Sequence, residues 1–129
     1  MGRLWLDALD RNKVDMPRIF SNATAEKFWS LTHVPDSVWA LGWDGISSER
    51  SSAGRFFSKR TRGHLGFTGT SIWIDPTNDL IVTLLTNRVH PTRNNEKMKP
   101  FRPLFHDSLL RELGLDAATD RIKIKGADA

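Results

Sequence analysis

An α+β domain, in which helices pack against an antiparallel sheet, is the fold class this sequence predicts, on three observations. Apolar residues recur at three- and four-residue spacings near both ends of the chain, whereas the middle alternates with a period of two. The stretches between are rich in Ser, Gly, Pro and Asn, as turns and loops require. At 129 residues, 39% hydrophobic and 26% charged, the chain has the size and balance of one globular domain rather than of a disordered segment.

Leu4, Trp5, Ala8 and Leu9 line one face of a first helix that closes before Asn12 and Lys13. Ser21 is placed to cap a second helix by accepting from its free backbone N–H groups, and Ala25, Phe28, Trp29 and Thr32 form the stripe of that helix. It ends by Pro35, whose ring disfavours helical geometry in the residue before it. SVWALGW, residues 37–43, alternates in period two and predicts a strand. Residues 44–62 hold no sustained period and predict a long surface loop. A short extended run over 63–67 follows, then a strand over 70–75 in which Ile72 and Ile74 alternate with Ser71 and Trp73. Pro76 ends that strand, and DPTND supplies turn chemistry ahead of LIVTLLTN, residues 80–87. The two segments predict a hairpin whose second strand, apolar on both faces, is buried on both sides. Residues 88–100 read as a second polar loop. FRPLFHDSLLRELG then predicts the last helix, with Phe105, Leu109 and Leu113 on one stripe, Leu110 beside it, Pro103 in the first turn and Gly114 at the end. The tail over 119–129 is expected to be disordered rather than a short edge strand.

Composition removes several chemistries. With no cysteine, the chain has no disulfide, no thiolate zinc site and no cysteine nucleophile. Its start, MGRLWLDALDRNK, has neither the basic n-region nor the apolar core of a signal peptide, and it is not a membrane span. The compartment is left open. A net charge of +4 raises the question of a nucleic-acid partner, since basic residues gather at Arg55, Lys59, Arg60 and Arg62 and again at Arg88, Arg93, Lys97, Lys99 and Arg102. No helix-turn-helix, zinc-finger or RNA-recognition pattern accompanies them, so solvated loops are expected and a nucleic-acid partner is not. His64, His90 and His106 lack the paired i, i+4 spacing of helix-borne metal ligands, and neither a metal nor another cofactor is expected. Trp5, Trp29, Trp39, Trp43 and Trp73 are assigned to packing.

GHLGFTGTSIWIDPTNDLIVTLLTNRVHPTR, residues 63–93, resembles the carboxy-terminal sheet region of the serine β-lactamase and penicillin-binding-protein superfamily. The likeness is to the branch of class C β-lactamases, D-alanyl-D-alanine carboxypeptidases and family VIII esterases. His64, Leu65 and Gly66 match the K-T-G or H-x-G triad that opens one strand in that family, and Leu85 to Asn87 with His90 and Pro91 match its L-x-N turn. ALGWD, residues 40–44, and SSAG, residues 51–54, resemble further family segments. The resemblance implies a partial β-lactamase-like fold in which the triad strand borders an acyl-binding groove. There His64 would donate to a substrate carboxylate or to the nucleophile's network, and Gly66 would let a substrate backbone lie close to the strand. The backbone N–H of Phe67 would be one of two oxyanion donors. Leu65 stands where many members carry a hydroxyl that holds substrate carboxylate, and Asn87 and Arg93 would face the groove toward an acidic group.

The departures bear on activity. The nucleophile of that family is the serine of S-x-x-K, and no serine of this chain has a lysine three residues on; the family's tyrosine has no counterpart either, because the chain has no tyrosine. Without a nucleophile most of the rate of a serine hydrolase is lost, on the order of a million-fold. The chain is therefore expected to be the carboxy-terminal part of a serine hydrolase acting on lactam, peptide or ester bonds, inactive alone. A small-molecule or peptide-like substrate would bind in the intact protein. The second expectation is a non-catalytic binding or interaction module on a degenerate sheet of the same kind. Missing sheet strands also imply an uncovered edge and self-association of the chain.

Overall fold

A computed structural model describes residues 2–10, 19–47 and 51–116. Within them lie α1 (Gly2–Leu9), α2 (Asn22–Trp29), β1 (Asp44–Gly45), β2 (Arg62–Leu65), β3 (Ser71–Asp75), β4 (Leu80–Leu84) and α3 (Met98–Glu112). The strands pair antiparallel in chain order, β1-β2-β3-β4, and the architecture is α+β. Register assigns the faces: His64 lies across from Ile72 and Thr83, while Gly63 lies across from Trp73 and Val82. Because side chains alternate along a strand, Ile72 and Ile74 share a face with His64, and Trp73 and Val82 share the other with Leu65.

Each face carries its own core. On the first, α1 and α2 bring Leu6, Leu9, Ala25 and Trp29 against Ile74 and Trp43, with Trp5, Phe20, Ile72 and Ile81 around them. Trp5 sits 5.4 Å from both Trp29 and Trp43 by ring centroid, so three of the five tryptophans form one cluster. On the second face, Ala53, Phe57, Trp73, Val82 and Leu110 pack together beneath α3. Burying a side chain such as Ile74 or Leu110, each fully enclosed, contributes about 1.5–3 kcal/mol relative to exposure.

Polar groups tie the loops to these cores. Asp75, fully buried at the end of β3, accepts from the Ser58 N–H at 3.0 Å and the Ser58 hydroxyl at 2.6 Å. It also closes the β3–β4 turn by accepting from Thr77, from the Asn78 backbone and from the Asn78 side chain. Asp107 on α3 accepts from the Arg55 backbone at 2.6 Å and its side chain at 2.7 Å. Arg62 is buried and donates to the carbonyls of Trp29, Lys59 and Thr61. Much of the first basic cluster in the sequence thus serves the fold.

The sequence expectations hold for α1, for the Ser21 cap, which accepts from the Thr24 N–H at 3.1 Å, and for the β3–β4 hairpin. Residues 37–43 are not a strand. Gly42 takes φ +78°, which ends extended backbone there, and the Ala40 N–H donates to the Trp43 carbonyl across the resulting turn. Only an isolated bridge, Leu31 to Ala40, is left of the expected pairing. α2 ends at Trp29, short of the expected Thr32. β4 is the outer strand rather than one buried on both sides: Val82 is buried, Thr83 is exposed and Leu85 is 77% exposed. α3 begins at Met98, so Pro103 lies inside it, and its enclosed face is Arg102, His106, Asp107 and Leu110, while Leu113 is exposed. Trp39, assigned to packing, is 47% exposed. The tail at 119–129 lies outside the described residues.

Candidate functional site

The site expected from the triad lies where β2 runs into the turn toward β3. β1 pairs only with Arg62 and Gly63, so the outer edge of β2 is open from His64 onward among the described residues. The Gly66 N–H donates to the Thr70 carbonyl at 2.8 Å, and the Gly69 N–H to the Gly66 carbonyl at 3.0 Å, which closes a β-turn over residues 66–69. A Cβ on Gly66 would overlap the Thr70 hydroxyl, so a larger residue there would force the Thr70 side chain to move. In such a turn the N–H of the second residue is not needed for closure. That residue is Phe67, and its N–H meets no acceptor among the described residues. Phe67 as a residue is 61% exposed.

Arginines hold the turn from beneath. Arg102, on the buried face of α3, donates through one guanidinium nitrogen to the Gly66 and Thr70 carbonyls, each at 3.0 Å. Arg88 donates to the Phe67 carbonyl at 2.7 Å and to those of Arg93 and Asn95 at 3.0 Å. The Arg88 and Arg93 guanidinium groups also lie over the Phe67 ring, 4.6 and 5.4 Å from its centroid. Such contacts contribute about 0.5–1 kcal/mol each at exposed sites. A cavity of about 250 Å³ opens here, with Leu65, Gly66 and Phe67 on one side and Arg88, Lys99 and Arg102 on the other.

His64 does not point into that cavity. It stands on the face of Ile72 with its ring 6.1 Å from that of Trp39 in an edge-on arrangement. Asp44, in register beside β2, is its nearby acid: burial raises the Asp44 carboxyl above the usual carboxylate range, while the Gly45 N–H and the His64 charge act the other way. Of the residues singled out in the sequence, Leu65, Gly66, Phe67 and Arg93 gather at one end of the sheet. His64 reaches the opposite face, and Asn87 is exposed with its side-chain oxygen accepting from the Val89 N–H at 3.3 Å.

His106 is enclosed between α3 and the sheet, where its Nδ1 donates to the Ser52 carbonyl at 2.9 Å. Burial lowers its pKa. With His90 exposed and His64 across the sheet, the three histidines do not meet, and among the described residues no three His, Asp or Glu side chains form a metal-ligand group. Arg88, Lys99, Arg102, Asp44 and Trp39 are the site residues that sequence reasoning missed. Arg102 carried a signal: with His106 and Leu110 it repeats at i, i+4 and i+8 along one helix face.

A family model described as Beta-lactamase matches residues 2–106, most of the chain. The chain belongs to the beta-lactamase family. A Salmonella typhi protein provisionally named a D-alanyl-D-alanine carboxypeptidase is 35% identical over 85 residues, and one from Salmonella enteritidis, similarly named, is 36% identical over 86. Each match covers 64% of this chain and 19% of the relative, so the likeness spans about a fifth of the length of these curated proteins. No solved structure matches the chain. The family membership joins the order of elements to the H-x-G residues: a strand opened by His64, Leu65 and Gly66, a hairpin, and a long helix after it.

Proposed function

We propose that the chain supplies the H-x-G strand and one oxyanion donor of a serine hydrolase acting on lactam, peptide or ester bonds, with the S-x-x-K nucleophile contributed by sequence outside these 129 residues. The observation that carries this reading is the Phe67 N–H, left without an acceptor at the end of an open strand edge by a turn that Arg88 and Arg102 hold from behind. When a serine oxygen attacks a carbonyl carbon, the π electrons move onto the carbonyl oxygen. A preorganised N–H aimed at that oxygen lowers the barrier, because it need not reorient as charge develops. His64, exposed at the same edge and beside Asp44, would donate to a substrate carboxylate or to the nucleophile's network.

Leu65 faces α3 and has no hydroxyl, so carboxylate recognition would fall to His64 and the exposed Asn87 and Arg93. A polypeptide in which this chain follows a family segment bearing S-x-x-K provides the test. His64→Ala there should lower kcat/KM by roughly 1–3 kcal/mol, the loss of one hydrogen bond to a charged partner. Unchanged kinetics in that folded variant would leave His64 an ordinary strand-end histidine with no part in the reaction.

A further inference from the structure

Trp39 stands apart from the other tryptophans. Trp5, Trp29 and Trp43 form the cluster on the first face and Trp73 fills the second core, whereas Trp39 belongs to neither and is exposed. Its backbone is nonetheless fixed on both sides. The Trp39 carbonyl accepts from the Thr32 N–H at 2.8 Å and from the Thr32 hydroxyl at 2.7 Å, and its own N–H donates to the Ser37 hydroxyl at 3.2 Å. The bridge from Leu31 to Ala40 ties down the same segment. A large indole mounted on a fixed backbone but left outside both cores stabilises the fold little by burial, so its placement calls for another use.

The ring it meets is His64. The two lie 6.1 Å apart by centroid with their planes at 72°, an edge-to-face pair. Nothing else orients that imidazole: among the described residues it makes no hydrogen bond and no ion pair. Asp44 lies across from Gly63, so its side chain leaves β1 toward the opposite face. Arg62, two residues back on the face of His64, turns its guanidinium to the carbonyls of Trp29, Lys59 and Thr61. Ile72, the register partner of His64 on β3, is apolar. An exposed imidazole without a partner spreads over its staggered rotamers, while one that leans on a fixed indole favours the rotamer that keeps the contact.

We propose that Trp39 is a positioning residue for His64, holding the imidazole in one orientation at the open edge of β2. The proposal rests on the reading of His64 as a groove residue and adds to it the segment that sets the ring in place. A contact of this kind shifts the balance between rotamers about two- to tenfold. Trp39 acts only through His64.

Three-bond couplings across the Cα–Cβ bond of His64, measured by NMR on the isotope-labelled 129-residue chain, read the orientation without any catalysis. One χ1 rotamer should dominate in the native chain. Trp39→Ala should spread the population over several, and Trp39→Phe, which keeps a ring, should restore the dominant one; the exposure of Trp39 leaves both variants folded. In a polypeptide that joins this chain to an S-x-x-K segment, Trp39→Ala should lower kcat/KM about two- to tenfold with His64 present, and by nothing further once His64 is alanine, because the two act as one unit. Equal χ1 populations in the native chain and in Trp39→Ala, or the same kinetic loss from Trp39→Ala with and without His64, would overturn the proposal. A His64→Ala variant with unchanged kinetics would instead overturn the groove reading of His64, and the couplings would still decide whether Trp39 orients the ring.

Discussion

Replacing Asp75 with alanine should cost more stability than any surface change, because one fully buried carboxylate serves five donors at once. Thr77 and Asn78 are exposed, and water can take over their bonds when the carboxylate goes. Ser58 is buried: its N–H is left with no acceptor, and its hydroxyl has only the Thr61 hydroxyl at 3.4 Å to turn to. At about 1–3 kcal/mol for each buried donor left unsatisfied, Asp75→Ala should lose roughly 3–4 kcal/mol. Asp75→Asn keeps one acceptor oxygen and should lose about half as much. Urea unfolding followed by tryptophan fluorescence measures both. With an m-value of about 1.5 kcal/mol/M for a chain of this size, the alanine midpoint should fall by about 2 M. A shift under about 0.3 M would show that Ser58 finds other partners and that Asp75 does not fasten the loop to the sheet.

Acid should destabilise the chain partly through His106. Its folded pKa is lowered by burial, so below about pH 6.5 the unfolded state takes up a proton that the folded state refuses, and stability falls as pH falls through that window. His106→Phe should flatten the urea midpoint between pH 7.5 and 5; an unchanged slope would place the titration on another group. Arg102 and Asp107, the charged groups near the ring, act in opposite senses on it. The β4 edge, unpaired among the described residues, with Leu85 exposed beside it and Leu104 66% exposed on α3, should make the chain self-associate at micromolar concentration. Sedimentation equilibrium showing a compact monomer would refute that. The 129-residue chain alone should hydrolyse neither nitrocefin nor p-nitrophenyl esters above background; a covalent serine adduct on it, seen by intact mass, would contradict the absence of a nucleophile.

The legible parts of the fold were those in which one segment carries its own pattern. α1 and the 71–84 hairpin are written in local periodicity, and Ser21 is a cap by chemistry alone. Residues 37–43 misled because alternation also arises when a turn at Gly42 throws neighbouring side chains to opposite sides. α3 misled in the other direction. Its enclosed stripe is polar, Arg102 and His106 before Leu110, and becomes intelligible only once the carbonyls of Gly66, Thr70 and Ser52 are brought opposite. At the candidate site, His64, Leu65 and Gly66 could be singled out because the triad they resemble is contiguous in sequence. What Arg102 and Asp44 would meet was not legible, since the carbonyls of Gly66 and Thr70 and the register of β1 on β2 are set by the tertiary fold.

The most direct test of the oxyanion assignment is a pair of variants at Phe67 in an S-x-x-K-bearing polypeptide that contains this chain. Phe67→Pro removes the N–H at a turn position that accepts proline and breaks no hydrogen bond among the described residues. Phe67→Ala removes the ring and its arginine contacts but keeps the N–H. Measured as kcat on an ester or lactam substrate, proline should cost roughly 10²–10³-fold, the usual loss of one oxyanion donor, while alanine should cost far less. Equal rates in the two variants would contradict the claim that the Phe67 N–H stabilises the transition state.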